Sequence, residues 1–558
     1  MMQQGRVIGG VRGSRVASLA AALTCCIGAA GVAAAVPATA NVLRVGKFEG
    51  KTGGYATIQA AVNAANPGDW ILIGPGDYKE TGNQVPIGAR GDDRAGAAVL
   101  VTKPGVHIRG MDRNGVVLDG TKPGAPRCSA SGSDQNFGPL DEKGAPTGRN
   151  GLIVFKAPGT SVENLTACNF LNGSRAGGDQ LWFDGGASSG TQQLGSWRGA
   201  YLSATASYYG GANGPFTVYG IYASNTFGPG LYTQVYANNQ ADAAYYIGAC
   251  PDCKTTLDHA HAQSSDLGYS GTNSGGHLII QNSEFDNNQS GFVTNSQNND
   301  DAPSPQDGAC PNIGETGPTG THSCWLFTKN SVHDNNNPNV PTTGSAAAGP
   351  VGSGVVISGG RNDTVSGNKI YNNGAWGVLL VPYPDTEEPP AVANCKGGVG
   401  TTFEGKAACY FDDWGSEVSN NTLMNNGFFG NQSNVDLAEI SNLENPGNCW
   451  HGNVNTSGVV TSEPKAIQSP PHSECGIPDA GEPLASSLGA QVACDTGFFA
   501  ECPPSTVANY PKKTNVVLQP LPAQKTMPDP CLDVPRNSWC PRNSNKPPAY
   551  PVPGSPAE

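Results

Sequence analysis

Apolar and polar positions along the middle of the chain recur in blocks. "GIYASNTFGPGLYTQVYANNQAD" from Gly220, "AAYYIGACPDCKTTLDHAHAQSSDL" from Ala243, "GYSGTNSGGHLIIQNSEFDNNQS" from Gly268 and "GVVISGGRNDTVSGNKIYNNGAW" from Gly354 align when set beneath one another. Each opens on a small residue and a short apolar strand, crosses a polar turn, continues in an alternating strand such as Leu278-Ile279-Ile280 or Thr364-Val365-Ser366, and closes on a polar pair. A unit of about 23 to 25 residues with short strands and no helical spacing predicts one turn of a parallel β-helix, in which neighbouring turns bury each other's inner face. The closing pairs Asn238-Asn239, Ser264-Ser265, Asn287-Asn288, Asn372-Asn373 and Asn425-Asn426 are expected to be structural. A side-chain amide at the same bend of successive coils bonds up and down the stack, and Asn tolerates the left-handed backbone of a sharp bend.

Towards the N-terminus the period changes. In "YATIQAAVNAANPGDWILIGPGDYKE", Ile58, Ala61, Val62 and Ala65 lie at helical spacing, Pro67-Gly68 ends the helix, and a strand follows from Trp70 to Ile73. An amphipathic helix before the first coil is a lid over the open end of a solenoid, which otherwise exposes apolar surface and unpaired strand edges. From Cys128 to Gly220 the repeat is hard to follow, and a structural loop is expected there.

The stretch "TIQAAVNAANPGDWILIGPGDY", followed by Gly- and Asn-punctuated coils, resembles the secreted right-handed parallel β-helix proteins of the pectin lyase-like superfamily. The resemblance covers about Val42 to Asn455. It implies an all-β, single-stranded right-handed parallel β-helix with an N-terminal capping helix, followed by an irregular Cys/Pro-rich C-terminal tail. It implies, too, a class of proteins that bind or process polysaccharide, among them lyases, hydrolases and uronate epimerases as well as members without catalysis.

Composition sharpens this. Gly 76, Pro 44 and only 14% charged residues in 558 suit a turn-dense β protein. Arg6, Arg12 and Arg15 precede an uncharged stretch from Val16 to Val36 that ends in Ala38-Thr39-Ala40, the pattern of a secretory signal peptide over 1–40. The β-helix is then expected over 41–460 and the Cys/Pro-rich region over 461–558. Loss of those three arginines leaves 29 basic against 45 acidic residues, a balance that repels nucleic acid and anionic lipid. A monomer outside the cell, with no membrane insertion after signal removal, is expected. Of 16 cysteines, Cys25 and Cys26 leave with the signal, and an even number enters an oxidising compartment. Proximity suggests Cys128 with Cys168, Cys250 with Cys253, Cys310 with Cys324 and Cys395 with Cys409, the six from Cys449 to Cys540 pairing among themselves.

Candidate chemistry follows from where coils lengthen. One insertion runs from about Gln297 to Cys324, a second from about Pro382 to Asp413, and the small Cys250–Cys253 loop departs at the same point of its own coil. Loops leaving a stack at one phase emerge along one edge, and such insertions often build the binding surface. Asp300 and Asp301 are the candidate catalytic residues. With Asp307 they are also the candidate ligands for Ca²⁺, which accepts carboxylate and carbonyl oxygens in loose geometry. Asn295, Asn298, Asn299, Tyr246, Trp325 and Trp414 are the candidate substrate contacts, aromatic faces suiting sugar rings. Hydrolysis of a glycan needs two carboxylates flanking the bond, and elimination from a uronate needs a base and a cation or donor. Asp258-His259-Ala260-His261 departs from the Asp-Pro-His-Asp pattern of β-helix epimerases; as surface strand histidines, His259 and His261 should share a face opposite Asp258. No family active site carries over residue by residue. Two functions therefore stay open: a polysaccharide lyase or glycoside hydrolase using the acidic loop edge, and a noncatalytic glycan-binding surface protein.

Overall fold

A computed structural model of the chain describes residues 40–186, 192–298, 302–344, 346–386, 392–403, 405–441, 447–477, 487–496 and 502–541, so the expected signal segment lies outside it save for its last residue. The coils lay their strands into two long parallel sheets, an 11-stranded front sheet and a 19-stranded back sheet that bends once within each coil. Together they form a right-handed parallel β-helix. Front strands include Leu267–Thr272, Ser290–Asn295, Ser353–Ser358, Trp376–Val381 and Val435–Glu439, each followed by back strands such as Trp325–Thr328 and Ser331–His333. The poorly repeating stretch is not a loop: Leu181–Asp184 joins the front sheet and Trp197–Thr205 the back.

Alternation along each strand decides what enters the core. Tyr269, Phe292, Val355, Val378 and Leu437 stand in register along the front sheet, and Ile280, Phe327, Val365 and Val418 along the back. All nine are fully buried. Burial of each such side chain stabilises the stack by roughly 1.5–3 kcal/mol.

The bends are held by amide ladders. At the coil-closing corner Asn288, Asn335, Asn373 and Asn426 form a stack, each accepting on Oδ1 from the amide of the coil before it: Asn288 Nδ2 to Asn335 at 3.1 Å, Asn335 to Asn373 at 3.1 Å, Asn373 to Asn426 at 3.2 Å. The residue before each is in the left-handed region, with φ of +53° at Asn287, +56° at Asn372 and +50° at Asn425. At the pair Asn238-Asn239 the turn is shifted by one residue: Asn239 takes the bend and Gln240 the ladder position, its N–H donating to Ser265 Oγ. A second ladder, which the repeat alignment did not single out, runs through Asn330, Asn368, Asn421 and Asn453 at the bend within the back sheet. The bend also displaces the alternation expected around His259. That residue takes φ +51° at the corner, so Leu257, Ala260 and Ala262 face the core while Asp258 and His261 both face outward.

The N-terminal end is closed by α1, Ile58–Ala64, whose Thr57 side chain caps the Ala60 N–H and whose Ile58, Ala61 and Val62 are buried against Val42–Val45 and Ala97–Val101. Past the last coil, α2, Ser487–Asp495, packs Leu488 onto the outer face of the front sheet beside Leu379 and Ala438. Residues 502–541 then run back as an irregular strap to the opposite end. Lys513 Nζ donates to Thr342, the Gln519 N–H to Asn239, the Met527 N–H to Asn164, and Trp539 Nε1 to the Lys51 carbonyl. Arg113, buried between a coil and this strap, donates to Ser203 and to the Lys525 carbonyl, and burial lowers its pKa to about 10. Disulfides join Cys128–Cys168, Cys250–Cys253, Cys310–Cys324, Cys395–Cys409, Cys449–Cys475, Cys494–Cys502 and Cys531–Cys540.

Candidate functional site

The two long insertions leave the same edge of the front sheet and touch. The Asn298 N–H donates to Asp385 Oδ2 at 2.7 Å, Asn298 Oδ1 accepts the Lys396 N–H, and Ser304 Oγ donates to the Lys396 carbonyl at 2.9 Å. Farther out, Gly275, Asp307, Arg361 and Trp414 pair as single parallel bridges, one per coil, and extend the ladder beyond the sheet. The Cys250–Cys253 turn joins this flank: His277 bonds Asp252 through Nδ1 at 2.7 Å and Glu315 of the Cys310–Cys324 loop through Nε2 at 3.0 Å.

The candidate residues are distributed by this geometry. Asn299, Asp300 and Asp301 lie outside the described residues. Asn298 is buried, its N–H and its side-chain Oδ1 both tying one insertion to the other. Trp325 lies inside the solenoid against Phe292, because its strand places Trp325 and Phe327 inward and Leu326 outward. Trp414 carries the Arg361 guanidinium over its ring at 5.3 Å. Asp307 accepts from Asn362 Nδ2 at 2.9 Å and from the Ala309 N–H, and its charge faces Arg361.

Two of the candidates stand on the outer face of the front sheet. There Trp182, Tyr222 and Tyr246 form one row, succeeded in register by Ser270, Val293, Val356 and Leu379. Trp182 stacks on Tyr222 at 4.7 Å and Tyr222 meets Tyr246 edge-on at 4.9 Å; all three rings are buried, so Tyr246 belongs to a packed aromatic cluster. Where the row changes from rings to small side chains the surface opens into a cleft of about 540 Å³. Ser270, Val293, Val356 and Leu379 make its floor, with Thr272, Asn295, Ser358 and Val381 in the parallel row. Asn295 is thus in the cleft, its Oδ1 accepting from Thr272 Oγ1 at 2.7 Å. Gln297 and Pro382–Pro384 of the insertions form one wall; Phe216, Tyr219, Asp242 and the segment around Gly349 form the other, and Val492 and Thr496 border the cleft.

Charge in the cleft is sparse. Among the described residues lining it, Asp242 is the carboxylate, and there is no lysine, arginine or histidine. Tyr219 OH bonds Asp242 Oδ2 at 3.3 Å. One coil along, Asp266 is fully buried, and burial holds its carboxyl well above the usual carboxylate range, with the Asp242 charge adding to the effect and Lys513 opposing it. Asp266 is not among the residues that line the cleft. The arrangement offers a floor of apolar patches and hydroxyl and amide groups repeating once per coil, about 4.8 Å apart. Reading the outward phase of the aligned front strands, Ser270, Val293, Val356 and Leu379, would have found the floor; nothing local announces that α2, from far along the chain, borders it.

No family model matches the chain, and no curated protein is similar to it in sequence. Among solved structures, the A-module of the Azotobacter vinelandii mannuronan C-5 epimerase AlgE4 aligns at 12% identity and a TM-score of 0.37, over 73% of this chain and 91% of that one. The Yersinia enterocolitica family 28 exopolygalacturonase aligns at 11% identity and a TM-score of 0.37 over 75% of both chains, and pectate lyase Pel9A at 12% and 0.33 over 75% of this chain and 81% of that one.

Proposed function

We propose that the protein is exported and binds a neutral polysaccharide chain along the front-sheet cleft. The observation that supports this reading is the cleft itself: a 540 Å³ channel whose hydroxyl, amide and apolar groups recur coil by coil, as the units of a sugar chain recur along its length. Tyr219 and Tyr383 line the cleft, aromatic residues of the kind sugars stack upon, and seven disulfides suit an oxidising compartment. The lack of a lining cation among the described residues favours a neutral glycan over a polyuronate, whose carboxylates call for positive partners. Hydrolysis would need a second carboxylate facing Asp242 across the chain, which the described residues do not supply.

A panel of neutral glycans and polyuronates, assayed with and without Ca²⁺ for both binding and turnover, tests the reading. Saturable binding of a neutral glycan that is lost in Val293→Arg and Ser270→Trp, which fill the floor, is expected. Binding unaffected by both substitutions, or confined to polyuronates, defeats it. New reducing ends or unsaturated products would add catalysis to the same site.

A further inference from the structure

The outer face of the back sheet carries a second cluster, on the opposite side of the coils from the cleft. His261 lies near the end of the strand Cys250–Gln263, Glu284 and Asp286 are the two ends of the strand Glu284–Asp286, and His333 closes Ser331–His333. These strands belong to three successive coils, with His261 in register with Glu284 and Asp286 in register with His333. The side chains reach diagonally rather than straight across. His261 Nε2 meets Asp286 Oδ1 at 2.5 Å, so the heads of His261, Glu284 and Asp286 gather over the middle coil, and His333 Nε2 joins them through Glu284 Oε1 at 3.1 Å.

We infer that His261, Glu284, Asp286 and His333 form a binding site for a transition-metal dication of the Zn²⁺ class. One donor atom each from His261, Glu284 and Asp286 already lie within 4.8 Å of one another. A tetrahedral Zn²⁺ with bonds of about 2.0–2.1 Å sets its ligand atoms roughly 3.3 Å apart. The observed separations of 2.5 Å from His261 to Asp286 and 3.9 Å from His261 to Glu284 Oε2 bracket that edge, and His333 stands 3.1 Å from the other Glu284 oxygen, Oε1. Imidazole nitrogens beside carboxylates select this class of metal over Ca²⁺ or Mg²⁺, which take oxygen.

The surroundings hold the donors in place. His333 Nδ1 bonds Asp334 Oδ2 at 2.8 Å and its ring stacks on Tyr371 at 4.5 Å, which points Nε2 inward in the manner of a carboxylate–histidine–metal arrangement. Gln263 and Asn287 both donate to Asp286 Oδ2, leaving Oδ1 for the centre. Glu284 and His261 are part-exposed, so an ion has an entry path from solvent. Binding would displace protons held between the imidazoles and the carboxylates, which leave to water.

The test is titration of untagged, chelator-treated protein with Zn²⁺ by calorimetry, with Co²⁺ absorption as the spectroscopic reporter. One saturable site is expected, with ligand-field bands typical of nitrogen and oxygen donors and a rise in the thermal midpoint that chelator reverses. His261→Gln with His333→Gln should weaken binding by about tenfold or more without changing the metal-free thermal midpoint, whereas His277→Gln, on the other flank, should leave affinity unchanged. Absence of saturable binding, retention of affinity in the double variant, or loss of affinity in His277→Gln would each overturn the assignment.

Discussion

Asn298 and Asp385, separated by 87 residues of sequence, meet through one hydrogen bond of 2.7 Å that joins the two insertions. Its side-chain Oδ1 accepts from the Lys396 N–H, so Asn298 closes both sides of the junction. Replacing it by Ala removes the acceptor of the Lys396 N–H while keeping the backbone bond to Asp385, a loss of roughly 0.5–1.5 kcal/mol. Hydrogen exchange in Asn298→Ala should accelerate in residues 302–306 and 392–397 and stay unchanged in the amide ladders. Equal acceleration throughout would show that the insertions are not a local unit.

The bend position and the ladder position of a coil-closing corner should respond differently to mutation. Asn335 is fully buried, donates to Asn373 and Phe285, and accepts from Asn288, so Asn335→Ala is expected to cost about 2–4 kcal/mol in chemical denaturation. Asn372 supplies the left-handed bend at φ +56°, which Gly adopts freely, so Asn372→Gly should change stability by no more than about 0.5 kcal/mol.

His277 gives the acidic flank a pH signature. Burial pulls its pKa down, but hydrogen bonds and charge from Asp252 and Glu315 outweigh burial and raise it above the ordinary 6.5. Lys254, paired with Asp252 at 2.8 Å, is the cation on the same side. A raised folded-state value means that the His277 contribution is fully present below pH 6.5 and disappears as pH rises through the folded value. Glu315, held below its ordinary 4.5 chiefly by the His277 hydrogen bond, contributes above 4.5 and loses its contribution as pH falls through its depressed value. Protection of the Cys310–Cys324 loop should therefore peak between those limits, with the His277 NMR titration midpoint above 6.5. His277→Gln should flatten the alkaline side; an unaltered profile would refute the pairing.

At the far end of the strap, Trp539 is buried against Phe48 with ring centroids 5.7 Å apart, in a cluster with Trp70, Leu72 and Met111. Trp539→Ala should cost about 3–5 kcal/mol by denaturant titration. A change below about 1 kcal/mol would mean that the strap end is not held by this contact.

Much of the solenoid was legible because stacking forces a pattern on the sequence. Phe285 stands between Glu284 and Asp286 and Val365 between Thr364 and Ser366, and Asn recurs where the backbone must turn left-handed. Trp325 was placed at the loop edge because the preceding insertion hides the period; aligning Trp325-Leu326-Phe327 with Leu278-Ile279-Ile280 restores its inward phase. The bend at His259 hid the convergence over Glu284, since strict alternation carries no information through a corner. The strap was legible only as composition: Pro-rich sequence has no period, and its docking rests on hydrogen bonds to Thr342, Asn239, Asn164 and Arg109 that no local pattern announces.

A stack in which each layer touches only its neighbours ordinarily frays from either end, layer by layer. Here the segment that follows the last layer is fastened beside the first, at Lys51 and Phe48. Peeling the final coils must pull on that fastening, and loosening the opening coils must release it. The two extremities therefore share one fate, and the molecule should melt as a single cooperative body rather than unzip.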